Sequence, residues 1–123
     1  MTEKRTIYAI GLGPGDQTYL TPQAKNILEN VDVIVGYTLY IDLIRDFCVD
    51  KKIINTGMMK EVERSTAAVE EANHGNSVAI VCSGDSSVYG MASLIFEIVE
   101  KREYKLSIEV VPGITAALSV VAR

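Results

Sequence analysis

The chain has 123 residues, 48% of them apolar, 7% aromatic and 23% charged, enough for one domain with a proper core. Twelve basic residues against sixteen acidic ones leave a net charge of −4, without the basic stripe of a nucleic-acid binder. No apolar run approaches the roughly 18 residues of a membrane-crossing helix, and MTEKRTIYAI has no signal-peptide core. Cys48 and Cys82 are too few and too far apart for a metal knuckle or a disulfide framework. A globular domain of a reducing compartment is expected, with neither nucleic acid nor membrane as partner.

In chain order, Ile7–Gly11 (IYAIG) is predicted as the first strand, followed by the glycine-rich turn Gly11-Leu12-Gly13-Pro14-Gly15-Asp16. Thr21-Pro22 has the form of an N-cap with a first-turn proline, and Ala24, Ile27, Leu28 and Val31 then share one helical face. Val31–Gly36 and Ile53–Asn55 are predicted as the second and third strands. Met59, Val62, Thr66, Val69 and Ala72 step by three or four toward Gly75, a glycine placed to end a helix. Ser77–Cys82 is predicted as the fourth strand. It runs into Ser83-Gly84-Asp85-Ser86-Ser87-Val88-Tyr89-Gly90 and a helix with the stripe Leu94, Ile95, Ile98, Val99. Lys101-Arg102 closes that helix at the favourable end of its dipole. Ser107–Val111 is predicted as the fifth strand, and Pro112-Gly113 opens an apolar helical stretch, ITAALSVVAR.

Short, nearly continuous apolar strands alternating with amphipathic helices specify an α/β fold: an open, mainly parallel five-stranded sheet with helices on both faces. A domain rarely stops inside an apolar helix, so residues 1–123 are expected to be the N-terminal domain of a longer, two-domain protein.

Ligands in such sheets sit beyond the carboxyl ends of the strands. Three unusual loops follow strands, and all are expected on one rim. A dinucleotide-binding reading of the first loop needs a third glycine where Asp16 stands, and a helix that begins inside the motif. It also needs an acid where the second strand ends in Gly36-Tyr37. A phosphate-gripping loop would need Gly-Lys-Ser/Thr, which does not follow. In the second loop Asp85 can accept hydrogen bonds from a ligand, or Asp85, Ser86 and Ser87 can cap the helix through Leu94. Tyr89 is expected to pack against the sheet. In the third loop Thr115 and Ala116 stand at a helix start, where backbone donors can hold a polar ligand atom or Thr115 can serve as a cap.

GLGPGD, SGDSSVYGMA and VPGITAAL, in that order and spacing, resemble the three N-terminal motifs of the tetrapyrrole methylase family, and the resemblance covers essentially the whole chain. VGYTLYIDLI (Val35–Ile44) and TGMMKEVERS (Thr56–Ser65) are most similar to the branch that methylates carbon 17 of precorrin-3B or cobalt-factor III. The resemblance implies an S-adenosylmethionine-dependent methyltransferase of cobalamin biosynthesis: a cytoplasmic homodimer with a corrinoid substrate in the cleft between two α/β domains. It carries the family's cofactor contacts to Pro14, Ser83, Gly84, Asp85, Val88, Thr115 and Ala116, with Ser86 where the family more often has proline. The alternatives are a nucleotide-binding oxidoreductase domain, a methylase acting at another carbon, and a non-catalytic assembly module.

Methyl transfer from a sulfonium needs alignment and water exclusion rather than a covalent nucleophile. None of the Ser/His/Asp type is visible; His74 is expected at a helix end and Cys82 as an inert buried thiol. The ring contraction implied for the carbon-17 branch needs proton handling, for which Asp16 or Asp85 is available. The acidic chain would receive a polycarboxylate through local cations, with Arg45, Lys60 and Arg64 as candidates or else as ordinary solvated side chains.

Overall fold

The computed structural model describes residues 3–12, 20–83 and 85–111, leaving aside the side chains of Asp85 and Ser86. Five strands, β1 (Thr6–Gly11), β2 (Val33–Tyr37), β3 (Lys52–Thr56), β4 (Ser77–Cys82) and β5 (Ser107–Val111), form one sheet in the order β3-β2-β4-β1-β5. Every pairing is parallel. The helices are α1 (Pro22–Asn30), α2 (Thr38–Leu43), α3 (Glu61–Asn73) and α4 (Asp85–Arg102), with a short 3-10 turn at Arg45–Phe47.

The order of the strands dictates where the helices lie. From β1 the chain steps through β2 to the β3 edge, then returns through β4 and crosses to β5. Right-handed crossovers made in opposite directions place their helices on opposite faces. One core layer accordingly joins α1 and α2 to Tyr8, Ile10, Ile34 and Val81. The other joins α3 and α4 to Ile7, Ala9, Val35 and Ile80. Successive residues of β1 and β4 point to alternate layers, so these strands are buried on both faces.

The ends of the helices follow from local chemistry. The Thr21 hydroxyl accepts the Ala24 N–H at 3.0 Å, and Pro22 opens α1 as its sequence predicts. At the end of α3, Gly75 takes φ +102°, its N–H bonds Ala72 O at 3.0 Å, and the Asn76 N–H bonds Glu71 O at 3.3 Å. This is the paired closure that a left-handed residue after the last helical turn permits. His74 sits at this end, as expected, its N–H directed at the carbonyls of Glu70 and Glu71.

Three expectations need correction. The helix expected from Met59 starts only at Glu61, because Met59 takes φ +61° in the turn after β3. Its inward face is Arg64, Ser65, Ala68, Val69 and Ala72, with Val62 left outside. Two inward positions are polar and hydrogen-bonded in place: Arg64 donates to Thr56 through Nη1, and the Ser65 hydroxyl donates to Met91 Sδ at 2.9 Å. Tyr89 is 56% exposed rather than in the core, flanking an apolar groove with Phe96 and Val110 between α4 and β5. Asp85, Ser86 and Ser87 form the first turn of α4 instead of preceding it.

The amino ends of the strands are tied together by Asp32. Its Oδ2 accepts the Ser77 N–H at 2.9 Å, the Ser77 hydroxyl at 3.1 Å and the Lys4 ammonium at 2.6 Å. Burial opposes the charge, but these donors outweigh it and hold the carboxyl below its ordinary range.

Candidate functional site

α1 leaves β1 for one face of the sheet and α4 leaves the neighbouring β4 for the other. The switch point, where a crevice opens beyond the strand ends, therefore lies between the carboxyl ends of β1 and β4. Parallel register brings three predicted loop origins to this rim: Gly11 pairs with Cys82, and Ile10 with Val111. The Leu12 N–H bonds Cys82 O at 2.8 Å, extending the ladder one residue past β1. Pro14, Gly84, Thr115, Ala116 and the side chain of Asp85 lie outside the described residues, as does Asp16. Ser83 stands exposed at the end of β4, its hydroxyl 3.1 Å from that of Ser87 one turn into α4. Val88 is fully buried in the core beneath that turn.

A further opening lies one strand over, at the carboxyl ends of β2, β3 and β4. It is a cavity of about 460 Å³ lined by Tyr37 and Tyr40, Met58 and Met59, Glu61 and Arg64, the end of β4 from Val81 to Ser83, and Ser87, Gly90, Met91 and Leu94 of α4. The two tyrosine rings meet edge to face at 5.3 Å, a favoured aromatic geometry. Met58 and Met59 are 69% and 81% exposed. Large apolar side chains gathered in the open around a concavity mark a contact surface for a ligand.

Arg64 supplies the positive charge in this cavity, and Glu61 a negative one. The Arg64 side chain is 7% exposed, and Nη1 donates to Thr56 Oγ1 at 2.5 Å and to Gly57 O at 3.4 Å. Arg45 and Lys60, the other expected cations, are solvated and paired with Asp42 and Glu63. Cys82 also faces the cavity, and burial pushes its thiol up to about 12 against the opposing pull of the Arg64 charge. It is therefore protonated at neutral pH and a poor nucleophile. Among the described residues no cluster of three or more His, Cys, Asp or Glu side chains is arranged to hold a metal ion. No helix among them is long and apolar enough to cross a membrane.

Sequence reasoning about the glycine-rich loops missed Tyr37, Tyr40, Met58, Met59 and Met91 as wall residues. Tyr37 and Tyr40 belong to VGYTLYIDLI, Met58 and Met59 to TGMMKEVERS, and Met91 to SGDSSVYGMA, and only the fold brings these stretches together around the cavity. Against a dinucleotide site, α1 begins only at Pro22, well beyond the glycine turn, and β2 ends at Tyr37 without an acid.

Residues 6–123 match the family model for tetrapyrrole (corrin/porphyrin) methylases. A probable cobalt-factor III C(17)-methyltransferase of Salmonella typhimurium is 42% identical over 110 residues, covering 89% of this chain and 46% of that relative. The crystal structure of the methyltransferase CobJ superposes with a TM-score of 0.76 at 36% identity, over 95% of this chain and 49% of that one. Uroporphyrin-III C-methyl transferase from Thermus thermophilus, complexed with S-adenyl homocysteine, shares the fold at a TM-score of 0.65 and 23% identity, over 94% of this chain and 48% of that one. The chain thus spans about half the length of these three proteins.

Proposed function

We propose, because the chain belongs to the tetrapyrrole (corrin/porphyrin) methylase family, that it forms the N-terminal domain of an S-adenosylmethionine-dependent methyltransferase. The substrate is a corrinoid precursor, precorrin-3B or cobalt-factor III, methylated at carbon 17 with contraction of the ring, in cobalamin biosynthesis. The observation that carries this reading is the register that sets the ends of β1, β4 and β5 side by side at the switch point. The carbon position is supported by the name of the Salmonella typhimurium relative. A second α/β domain closing the cleft, a homodimeric assembly and a cytoplasmic location belong to the same proposal.

The rim suits the cofactor in the described part: the Ser83 and Ser87 hydroxyls offer neutral hydrogen-bonding groups beside an apolar hollow. Pro14, Ser83, Gly84, Asp85, Val88, Thr115 and Ala116 would hold it. Bound there, S-adenosylmethionine supplies a methyl group already activated by its sulfonium. The chain's own residues contribute position and exclusion of water, effects worth up to roughly 7–11 kcal/mol when reacting atoms are held in line. Val88 and the strand ends give the rim a rigid floor, while Met58, Met91 and Leu94 give the hollow apolar walls. Cys82, kept as the thiol by burial, does not compete with the macrocycle as a nucleophile.

Calorimetry with S-adenosylhomocysteine tests the proposal. The full-length enzyme should bind it, and Asp85→Ala should weaken binding about tenfold, the loss of one charge-assisted hydrogen bond. No binding by the unaltered enzyme, or tight binding of a reduced nicotinamide cofactor instead, would overturn the methyltransferase assignment. The chain of residues 1–123 alone should show little turnover, because half of the proposed cleft is missing.

A further inference from the structure

We infer that the cavity between α2, α3 and α4 is a carboxylate-anchoring subsite for a flat, acidic ring ligand, with Arg64 as the anchor and Tyr37, Tyr40, Met58, Met59 and Met91 as the surface against which the ring lies. This rests on the macrocycle reading above and extends it to a specificity-determining residue.

Three observations converge on it. First, the charge is buried and incompletely matched. Among the described residues, the hydrogen bonds of Arg64 go to neutral oxygens of Thr56 and Gly57. The carboxylate nearest in charge, Glu61, is 58% exposed and stands 4.0 Å from Nη2, an ion-pair separation beyond hydrogen-bonding distance. A guanidinium removed from water is costly unless a hydrogen-bonded anion accompanies it. Its planar fork, fixed at Nη1 by Thr56 and Gly57, leaves further N–H groups for a carboxylate.

Second, the surroundings of that charge are apolar and adaptable. The hollow has a volume of about 460 Å³, within the usual range of roughly 300–1,000 Å³ for small-ligand sites. Methionine side chains conform to irregular apolar surfaces, and tyrosine adds a flat face with a polar edge. Apolar walls with a single deep cation favour a ligand that is mostly hydrocarbon ring with acidic arms.

Third, Gly90 opens the α4 side. A Cβ built on it meets no atom of the described residues outside its own helix within 4 Å, so no packing contact among them requires glycine here. It widens the hollow beside Met91.

The test is a fluorescence titration with uroporphyrin, a porphyrin bearing eight carboxylates, run beside calorimetry with S-adenosylhomocysteine. Arg64→Gln should weaken uroporphyrin binding about tenfold or more and leave S-adenosylhomocysteine binding within about twofold. Glu61→Gln, which removes the competing carboxylate from the mouth, should tighten it. Because Arg64 also bonds the end of β3, an exposed variant provides an independent check: Met59→Glu should fold and weaken uroporphyrin binding by placing a negative charge at the mouth. Uroporphyrin affinity unchanged in both Arg64→Gln and Met59→Glu overturns the inference, as does a loss confined to S-adenosylhomocysteine. Absence of S-adenosylhomocysteine binding with Arg64-dependent uroporphyrin binding intact would defeat the methyltransferase reading and leave the subsite standing.

Discussion

Gly90→Ala separates what the fold needs from what the cavity needs. Gly90 lies inside α4, and among the described residues outside its own helix a Cβ there meets nothing within 4 Å. Glycine in an exposed helix interior costs about 0.8–1.0 kcal/mol relative to alanine, and no clash with the described residues opposes the gain. The variant should therefore be more stable by about 0.5–1 kcal/mol, raising Tm by roughly 2–6 °C in a domain of this size. Urea denaturation followed by circular dichroism would read this as a higher midpoint at unchanged slope. The same methyl group projects into the hollow, so uroporphyrin affinity should fall modestly, and Gly90→Leu should abolish it while the domain still folds. A destabilised Gly90→Ala, or Gly90→Leu with full uroporphyrin affinity, would refute the reasoning that Gly90 is present to keep this space open.

Gly36→Ala should do the opposite. Its Cβ would lie 2.5 Å from Val81 Cγ2 and 3.2 Å from Ile41 Cδ1. That overpacking costs about 1–3 kcal/mol and exceeds the 0.4–1 kcal/mol gained from the unfolded chain. A lower denaturation midpoint, recovered in part by adding Val81→Ala, would confirm it. Asp32→Asn should cost about 1–2 kcal/mol through weakened bonds to Ser77 and Lys4. The folded Asp32 carboxyl titrates below its unfolded value, so its contribution is present above about pH 4 and lost as pH falls through the folded value. Unfolding curves of variant and parent should accordingly converge in acid. Cys82 should resist thiol reagents in the native state at pH 8 while Cys48 reacts first. Burial raises both thiols, but Cys82 is raised to about 12 and is the more deeply enclosed. Rapid labelling of Cys82 in the folded protein would contradict that.

Strands were legible in the sequence because burial on both faces writes itself as short β-branched runs. All five predicted runs overlap the observed strands, and Ser77–Cys82 and Ser107–Val111 coincide with them. α1 was legible through its cap. α2 was not, since TLYIDL is six residues long, too short for a periodic pattern, and follows β2 without an intervening loop. The start and inner face of α3 were misplaced for a different reason. Apolar stepping cannot anticipate that Arg64 and Ser65 turn inward, where Thr56 and Met91 accept hydrogen bonds from them. The rim at β1, β4 and β5 was legible because glycine-rich turns after strands carry a local signal. The cavity beside it was not, since its wall is assembled from α2, the turn after β3 and one face of α4. Only the topology brings those segments together.

Under the proposed function, the placement of Arg64 would let a chain of net charge −4 receive a polyacidic ligand. Two unit charges about 4 Å apart attract by roughly 1 kcal/mol in water and about 4 kcal/mol at an effective dielectric constant near 20. Surface carboxylates act through water and are screened over about 8 Å at physiological ionic strength. Exposed cations such as Arg45 and Lys60 are subject to the same weakening and already have partners. A guanidinium recessed beneath apolar walls escapes most of it. One buried charge can therefore dominate at contact over a larger opposite charge spread across the surface. Uroporphyrin affinity should accordingly fall by less than about threefold between 0.1 and 0.5 M sodium chloride, since the anchoring contact is shielded from mobile ions. A steep decline, of the kind exposed lysines would give, would place the anchor on the surface instead of at Arg64.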